Sequence, residues 1–318
     1  RHIRFSGNNT TQSLVLRKYL VQMEGQPYSK EDIIESMRNI NNTGFIKVQN
    51  IETQPVSDSS NQVDLVFDMV ESKTAGKFNF TGGYSQLYGP SIGGGFSQPD
   101  FLGTGDALSL NIQLGKLMSQ ASVSLNQPKV NANGLSRNYS FDYSRSKPGD
   151  LGLADYGMST LSGSVGFGVP VLWQNTQFTF STLVKKTKIT DIQAELSPSY
   201  QSFLDKYQSP YTQLEFDLGW NHTTLDQQPF PTLGGAQSLN LIVGVPFGKA
   251  GGLYSLGYYT AETKGQWYFP LSDNGWILSP HYDIGFGAGL GSTDRLPFFN
   301  NFMAGGVDSL PGFEAGSL

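Results

Sequence analysis

His281 and Asp283 sit two residues apart in an alternating stretch, which puts both on one face of a strand, and Glu215 and Asp217 share a face in the same way. A histidine beside carboxylates is the raw material of general acid–base catalysis. The same residues cost little on a hydrated polar lumen and then do no chemistry, and the spacing favours that second reading. Residues 286–291 read FGAGLG, but no helix follows, so they do not make a nucleotide loop. Their glycines suit a strand that twists into a loop. Three scattered histidines and no cysteine argue against a metal site. Asn138-Tyr139-Ser140 means little as a glycosylation triplet without a eukaryotic secretory context. No catalytic residue, metal ligand or cofactor is assigned, and the chain is not expected to be an enzyme.

Strands must position these polar residues. From residue 76 onward, eleven segments alternate with period two. In the first, Phe78, Phe80 and Tyr84 alternate with Lys77, Asn79, Thr81 and Ser85; in the last, Leu278, Pro280, Tyr282, Ile284 and Phe286 alternate with Ser279, His281, Asp283 and Gly285. Only 15% of residues are charged, against a usual quarter, while 38 are glycine and 13% aromatic. Mean hydropathy is −0.28, and no segment suits a transmembrane helix. A soluble all-β protein and a transmembrane β-barrel both fit this composition, since barrel strands hide their hydrophobicity in alternation.

The linkers favour the barrel. Those at 99–105, 129–134, 170–175, 225–235 and 270–275 are mostly compact, whereas 147–155 and 191–210 are longer. Short turns at one rim and long loops at the other are a barrel's asymmetry. Trp173, Trp267, Tyr268 and Trp276 lie near segment ends, where interfacial girdles form. The expected fold is an antiparallel transmembrane β-barrel. Eleven is an odd count for a bacterial barrel, so the chain is expected to lack C-terminal strands of a barrel of roughly sixteen. A net charge of −5 and a pI near 5.2 argue against a nucleic-acid partner. Arg1-His2-Ile3-Arg4-Phe5 reads as a strand and not as a signal peptide, as if the chain began inside a mature protein.

Residues 1–73 read as a separate β-α-α-β-β domain, with 74–318 as the barrel. Thr10 or Thr11 is expected to cap a helix reaching about Met23. Ser29, with Asp32 three residues on, caps a second helix with an apolar stripe of Ile33, Ile34, Met37 and Ile40. Gly44 suits a left-handed C-cap, and strands follow at 45–53 and 62–71. Such a unit leaves a sheet edge open to an extended chain. The joint between the two regions, residues 63–105, is where function is expected.

The residues on both sides of this joint resemble the Omp85 superfamily of outer-membrane proteins along nearly the whole chain. Ile3-Arg4-Phe5-Ser6-Gly7-Asn8, Leu16-Arg17, Gln22-Met23-Glu24-Gly25, Gly44-Phe45 and Gln62-Val63-Asp64-Leu65 are similar to the barrel-proximal POTRA domain. Gly76-Lys77-Phe78-Asn79-Phe80, Gly83-Tyr84-Ser85 and Phe101-Leu102-Gly103-Thr104-Gly105 resemble the barrel's start, and Phe230-Pro231-Thr232 a later turn. Leu296-Pro297-Phe298-Phe299-Asn300-Asn301-Phe302 and Ala304-Gly305-Gly306 resemble the beginning of the family's long sixth extracellular loop. The loop signature there is Val-Arg-Gly-Phe, and this chain has Leu310-Pro311-Gly312-Phe313, without the arginine.

The resemblance implies an assembly and insertion factor in the outer membrane, with its POTRA domain in the periplasm. Its implied partners are unfolded outer-membrane proteins, accessory lipoproteins and the lipid bilayer. It places a lateral seam on the first barrel strand: Lys77, Phe78, Asn79, Phe80, Thr81, Gly82, Gly83 and Tyr84. It places a loop motif at Gly305, Gly306, Leu310, Pro311, Gly312 and Phe313, and a lipoprotein contact at Glu24. Read without the resemblance, Glu24 is a solvated residue between two helices, and 191–210 is either a short capping helix or a variable loop. The alternative function is a related translocation pore, of the two-partner secretion or TamA-like kind.

Overall fold

The computed structural model describes residues 1–56, 61–72, 76–85, 89–131, 133–147, 156–171, 175–192, 197–227, 229–246, 255–272, 275–305, 310 and 312–313. They cluster into two compact units. One holds 1–79, 95–110 and 124–137; the other holds 80–94, 111–123 and 138–318.

In the first unit the expected β-α-α-β-β order is present: β1 (Ile3–Ser6), α1 (Ser13–Arg17), α2 (Lys30–Asn41), β2 (Ile46–Pro55) and β3 (Val63–Glu71). β3 lies in the middle, parallel to β1 and antiparallel to β2, with a bulge between Val48 and Asn50. The two helices meet this sheet through one core, in which Leu16, Ile40, Ile46 and Phe67 are fully buried. Each such side chain contributes about 1.5–3 kcal/mol. Ser29 caps α2 as expected, accepting the Asp32 N–H at 3.2 Å. Ile33 and Ile40 of the expected stripe are buried, whereas Ile34 is exposed.

The first helix departs from expectation. It is five residues long, and Gln12, not Thr10 or Thr11, is its N-cap. Both threonines have other partners: their N–H groups donate to Glu71, and the Thr11 hydroxyl donates to Asp100. Past Arg17, the N–H groups of Lys18, Tyr19 and Leu20 bond three residues back, and those of Val21 and Gln22 turn to the Ser36 hydroxyl. With those donors diverted, the α-helical ladder stops.

The remaining strands are β4 (Lys77–Ser85), β5 (Gly89–Gln98), β6 (Ala107–Gly115), β7 (Met118–Gln127), β8 (Ser136–Ser146), β9 (Gly157–Pro170), β10 (Thr176–Thr190), β11 (Tyr211–Thr223), β12 (Gly234–Val245), β13 (Tyr258–Pro270), β14 (Ile277–Leu278) and β15 (His281–Gly289). They form one sheet in chain order from β4 to β13, and β14 and β15 both pair with β13. All eleven expected segments are strands, but the last is split at Ser279-Pro280. Pro280 has no N–H for the ladder, while its carbonyl still accepts from Trp267 N–H at 3.1 Å.

Register makes the sheet two-faced. Phe167, Phe180, Leu218, Leu241, Ala261 and Phe286 line up across six strands. Ser164, Leu183, Glu215, Gly244 and Tyr258 line up on the opposite face. Phe180, Leu218 and Phe286 are 40%, 50% and 59% exposed, as part of a wide apolar surface that water would leave uncovered at high cost. One exposed apolar face and one polar face is the pattern of a barrel wall in lipid.

Candidate strand-exchange edge

β4 ends the sheet order, and its outer edge has no strand partner among the described residues. Phe78, Phe80 and Tyr84 project from one face and are 73%, 88% and 78% exposed. Alternation puts Lys77, Asn79, Thr81 and Gly83 on the other face. The Phe78 ring lies 4.9 Å from that of Phe96 on β5, and a Cβ on Gly76 would fall 2.0 Å from the same ring, so the strand's base is closely fitted. Gly82 and Gly83 differ: a Cβ on either would meet no atom within 4 Å. Sterics does not demand these glycines. Their effect is to soften the strand, at about 0.5–1 kcal/mol each. A strand softened in this way holds a partner along its edge less firmly.

Below this edge, a tight turn binds the N-terminal domain. The Thr11 hydroxyl donates to Asp100 Oδ2 at 2.7 Å, Asp100 Oδ1 accepts the Gly105 N–H at 2.7 Å, and Gln12 N–H donates to Gly103 O at 2.9 Å. Gly103 has φ +73°, and a Cβ there would lie 2.1 Å from Thr10 O. Only glycine fits both the dihedral and the approach. Nearby, Glu71 accepts the N–H groups of Thr10 and Thr11 at 2.8 and 2.6 Å. Burial pushes the Glu71 carboxyl up, but the donors from Thr11 and Thr10 outweigh it and hold it below its ordinary value. Lys129 lies over the Tyr19 ring at 4.9 Å, and burial lowers its ammonium. The Thr11–Asp100 pair joins residues 89 apart and left no local signal in the sequence.

Glu24 does lie between the helices, but it is engaged. It accepts the Ile3 N–H and pairs with Arg17 Nη1, each at 2.9 Å. These two donors, the Ile3 N–H first, hold its carboxyl below the usual range. It borders a hollow of about 350 Å³, with His2, Met23, Tyr28 and Val63 among the lining residues.

The polar residues of the sheet singled out in the sequence have partners of their own, His281 apart. Asp283 is held by Lys264 at 3.1 Å, and Lys264 also meets Glu262 at 2.9 Å. Glu215 pairs with Lys185 at 2.6 Å and accepts the Tyr258 hydroxyl, and Asp217 accepts from Ser181 at 3.2 Å. His281 is exposed. Among the described residues, no group of three or more His, Cys, Asp or Glu could hold a metal.

A helix, α3 (Pro198–Lys206), stands where the sequence left helix and loop open. Its Phe203 joins Tyr156, Tyr207, Tyr211 and Phe298 in a buried cluster, and Phe299 stacks on Tyr211 at 5.5 Å. Lys206 pairs with Asp294, Arg295 donates to Ser202 at 3.0 Å, and the Tyr207 hydroxyl donates to Ser292 O at 2.9 Å. The segment after β15 is thus fastened where it begins. Phe298 and Phe299 fit the family's loop motif, but nothing local in the sequence signals that they pack with Phe203 and Tyr211. Farther along, Gly305 and Gly312 have φ +114° and +99°. Leu310 and Phe313 are exposed, and Phe313 N–H donates to Leu310 O at 3.3 Å. Gly306 and Pro311 lie outside the described residues.

Residues 100–318 match the Omp85 superfamily domain, and residues 1–72 match the POTRA family described as a surface antigen variable number repeat. The outer membrane protein assembly factor BamA of Neisseria meningitidis serogroup B is 28% identical over 99% of this chain, which spans 40% of that relative's length. The crystal structure of BamA from Haemophilus ducreyi lacking POTRA domains 1–3 superposes with a TM-score of 0.87 at 24% identity, over 100% of this chain and 60% of that one. CdiB from Escherichia coli superposes with a TM-score of 0.57 at 17% identity, over 99% of this chain and 58% of that one. The two structural likenesses bear on fold.

Proposed function

This chain belongs to the Omp85 superfamily, and from that premise we propose that it is the strand-accepting part of an outer-membrane protein assembly and insertion factor. It lies in the outer membrane with its POTRA domain in the periplasm. Unfolded outer-membrane proteins are its proposed clients, and β4 is the strand that receives them by edge pairing. The observation that carries this reading lies in β4, the first strand of the large sheet: it contains two glycines that packing does not require, beside exposed aromatic side chains. An incoming hairpin can exchange with the partner of such a strand while the rest of the wall keeps its ladder. Accessory lipoproteins are proposed to dock at the hollow beside Glu24, reading the exposed Arg17–Glu24 pair. Pairing and insertion need no covalent step, so no catalytic residue is proposed.

The test is a disulfide lock. In the full-length protein, a cysteine at Asn79 is oxidised to one on the strand that closes the barrel. Locked protein is expected to stop assembling clients, and reduction to restore assembly. Unchanged assembly with the lock closed would remove the seam from the mechanism.

A further inference from the structure

The apolar face of β4, β5 and β6 is unevenly filled. Phe80, Ile92, Ile112 and Leu114 stand around a floor that includes Gly82 and Gly94 and enclose about 500 Å³. A Cβ on Gly82 would meet nothing within 4 Å, so the hollow reaches the backbone. Phe80 and Ile92 are exposed, so the groove opens outward. β5 lies between β4 and β6, and its N–H and C=O groups are directed to those neighbours. The groove therefore offers contact surface and little hydrogen bonding. A peptide laid in it would leave its own buried backbone groups unpaired, at about 1–3 kcal/mol each. A hydrocarbon chain has no such cost. The groove also continues the apolar rows that face lipid on the rest of the wall.

We propose that this groove binds one phospholipid acyl chain, held more tightly than the lipids along the rest of the wall. Because Gly82 forms part of the floor, a seated chain lies directly against the backbone of β4. The proposal rests on the barrel's place in the membrane and is independent of assembly activity.

Native mass spectrometry of the full-length protein in detergent, with added palmitoyl-oleoyl phosphatidylethanolamine, tests it. The unaltered protein is expected to retain one phospholipid. Gly94→Leu, which fills the groove, is expected to lower occupancy about tenfold, corresponding to about 1.4 kcal/mol. Thr182→Leu adds similar bulk on the same face of β10, away from the groove, and is expected to leave occupancy unchanged. Heat-modifiable gel mobility reports whether each barrel is folded. If Gly94→Leu does not fold, Ile92→Ala removes one wall without adding bulk and is expected to lower occupancy several-fold. No retained phospholipid, or equal retention in both groove variants and the control, overturns the proposal. Retention of an apolar strand-forming peptide in place of phospholipid also overturns it, by giving the groove to a client.

Discussion

At the level of single residues, the joint below β4 depends on polar atoms with few substitutes. Thr11→Val keeps the shape but removes the hydroxyl that Asp100 accepts. Leaving that carboxylate oxygen buried without its donor is expected to cost about 1–3 kcal/mol locally, seen as faster hydrogen exchange at Gln12 and Gly105. Glu71 makes the same joint sensitive to acid. Its folded carboxyl titrates below its unfolded value, so its contribution is complete above the unfolded pKa of about 4.3 and is lost as pH falls through the folded one. Protection of the Thr10 and Thr11 amides, corrected for intrinsic exchange, is expected to hold above the unfolded pKa and to fall as pH drops below it. Glu71→Gln is expected to lower that protection at neutral pH and to flatten its dependence on acid. The glycines of the Phe101-Leu102-Gly103-Thr104-Gly105 motif were readable as a turn, but their reason was not: Gly103 is fixed by the Thr10 carbonyl, far away in the chain.

Among the elements, β4 carries the functional claim. Gly83 lies on the face opposite the acyl groove, and a side chain there meets nothing within 4 Å. Gly83→Val therefore stiffens the strand without a clash and without filling the groove, a gain of up to about 1 kcal/mol. Client assembly in reconstituted vesicles is expected to slow while the barrel still folds; unaltered assembly rates would show that strand softness is not what admits clients. The strands were legible because period two leaves one residue in each pair apolar wherever one face meets lipid. The split of the last strand was not, because Pro280 fits the alternation and breaks only the donor side of the ladder. The short first helix was missed for a related reason: the donors that end it bond to Ser36, on another helix.

For the molecule as a whole, the buried aromatic cluster around Phe298 ties α3 to the segment after β15. Phe298→Ala is expected to remove about 3–5 kcal/mol of packing there. The measurable result is faster cleavage of the 290–305 segment by protease added outside intact cells, with β-sheet content unchanged. From sequence alone, the barrel class, the order of strands and the family were determined, since each follows from local periodicity or short motifs. Tertiary structure alone decided that Glu24 and Asp283 are engaged by Arg17 and Lys264, that Asp100 receives Thr11, and that Gly82 and Gly83 face open space. Those facts depend on which distant atoms meet and at what distance, and pairing across tens of residues leaves no period in the chain to read.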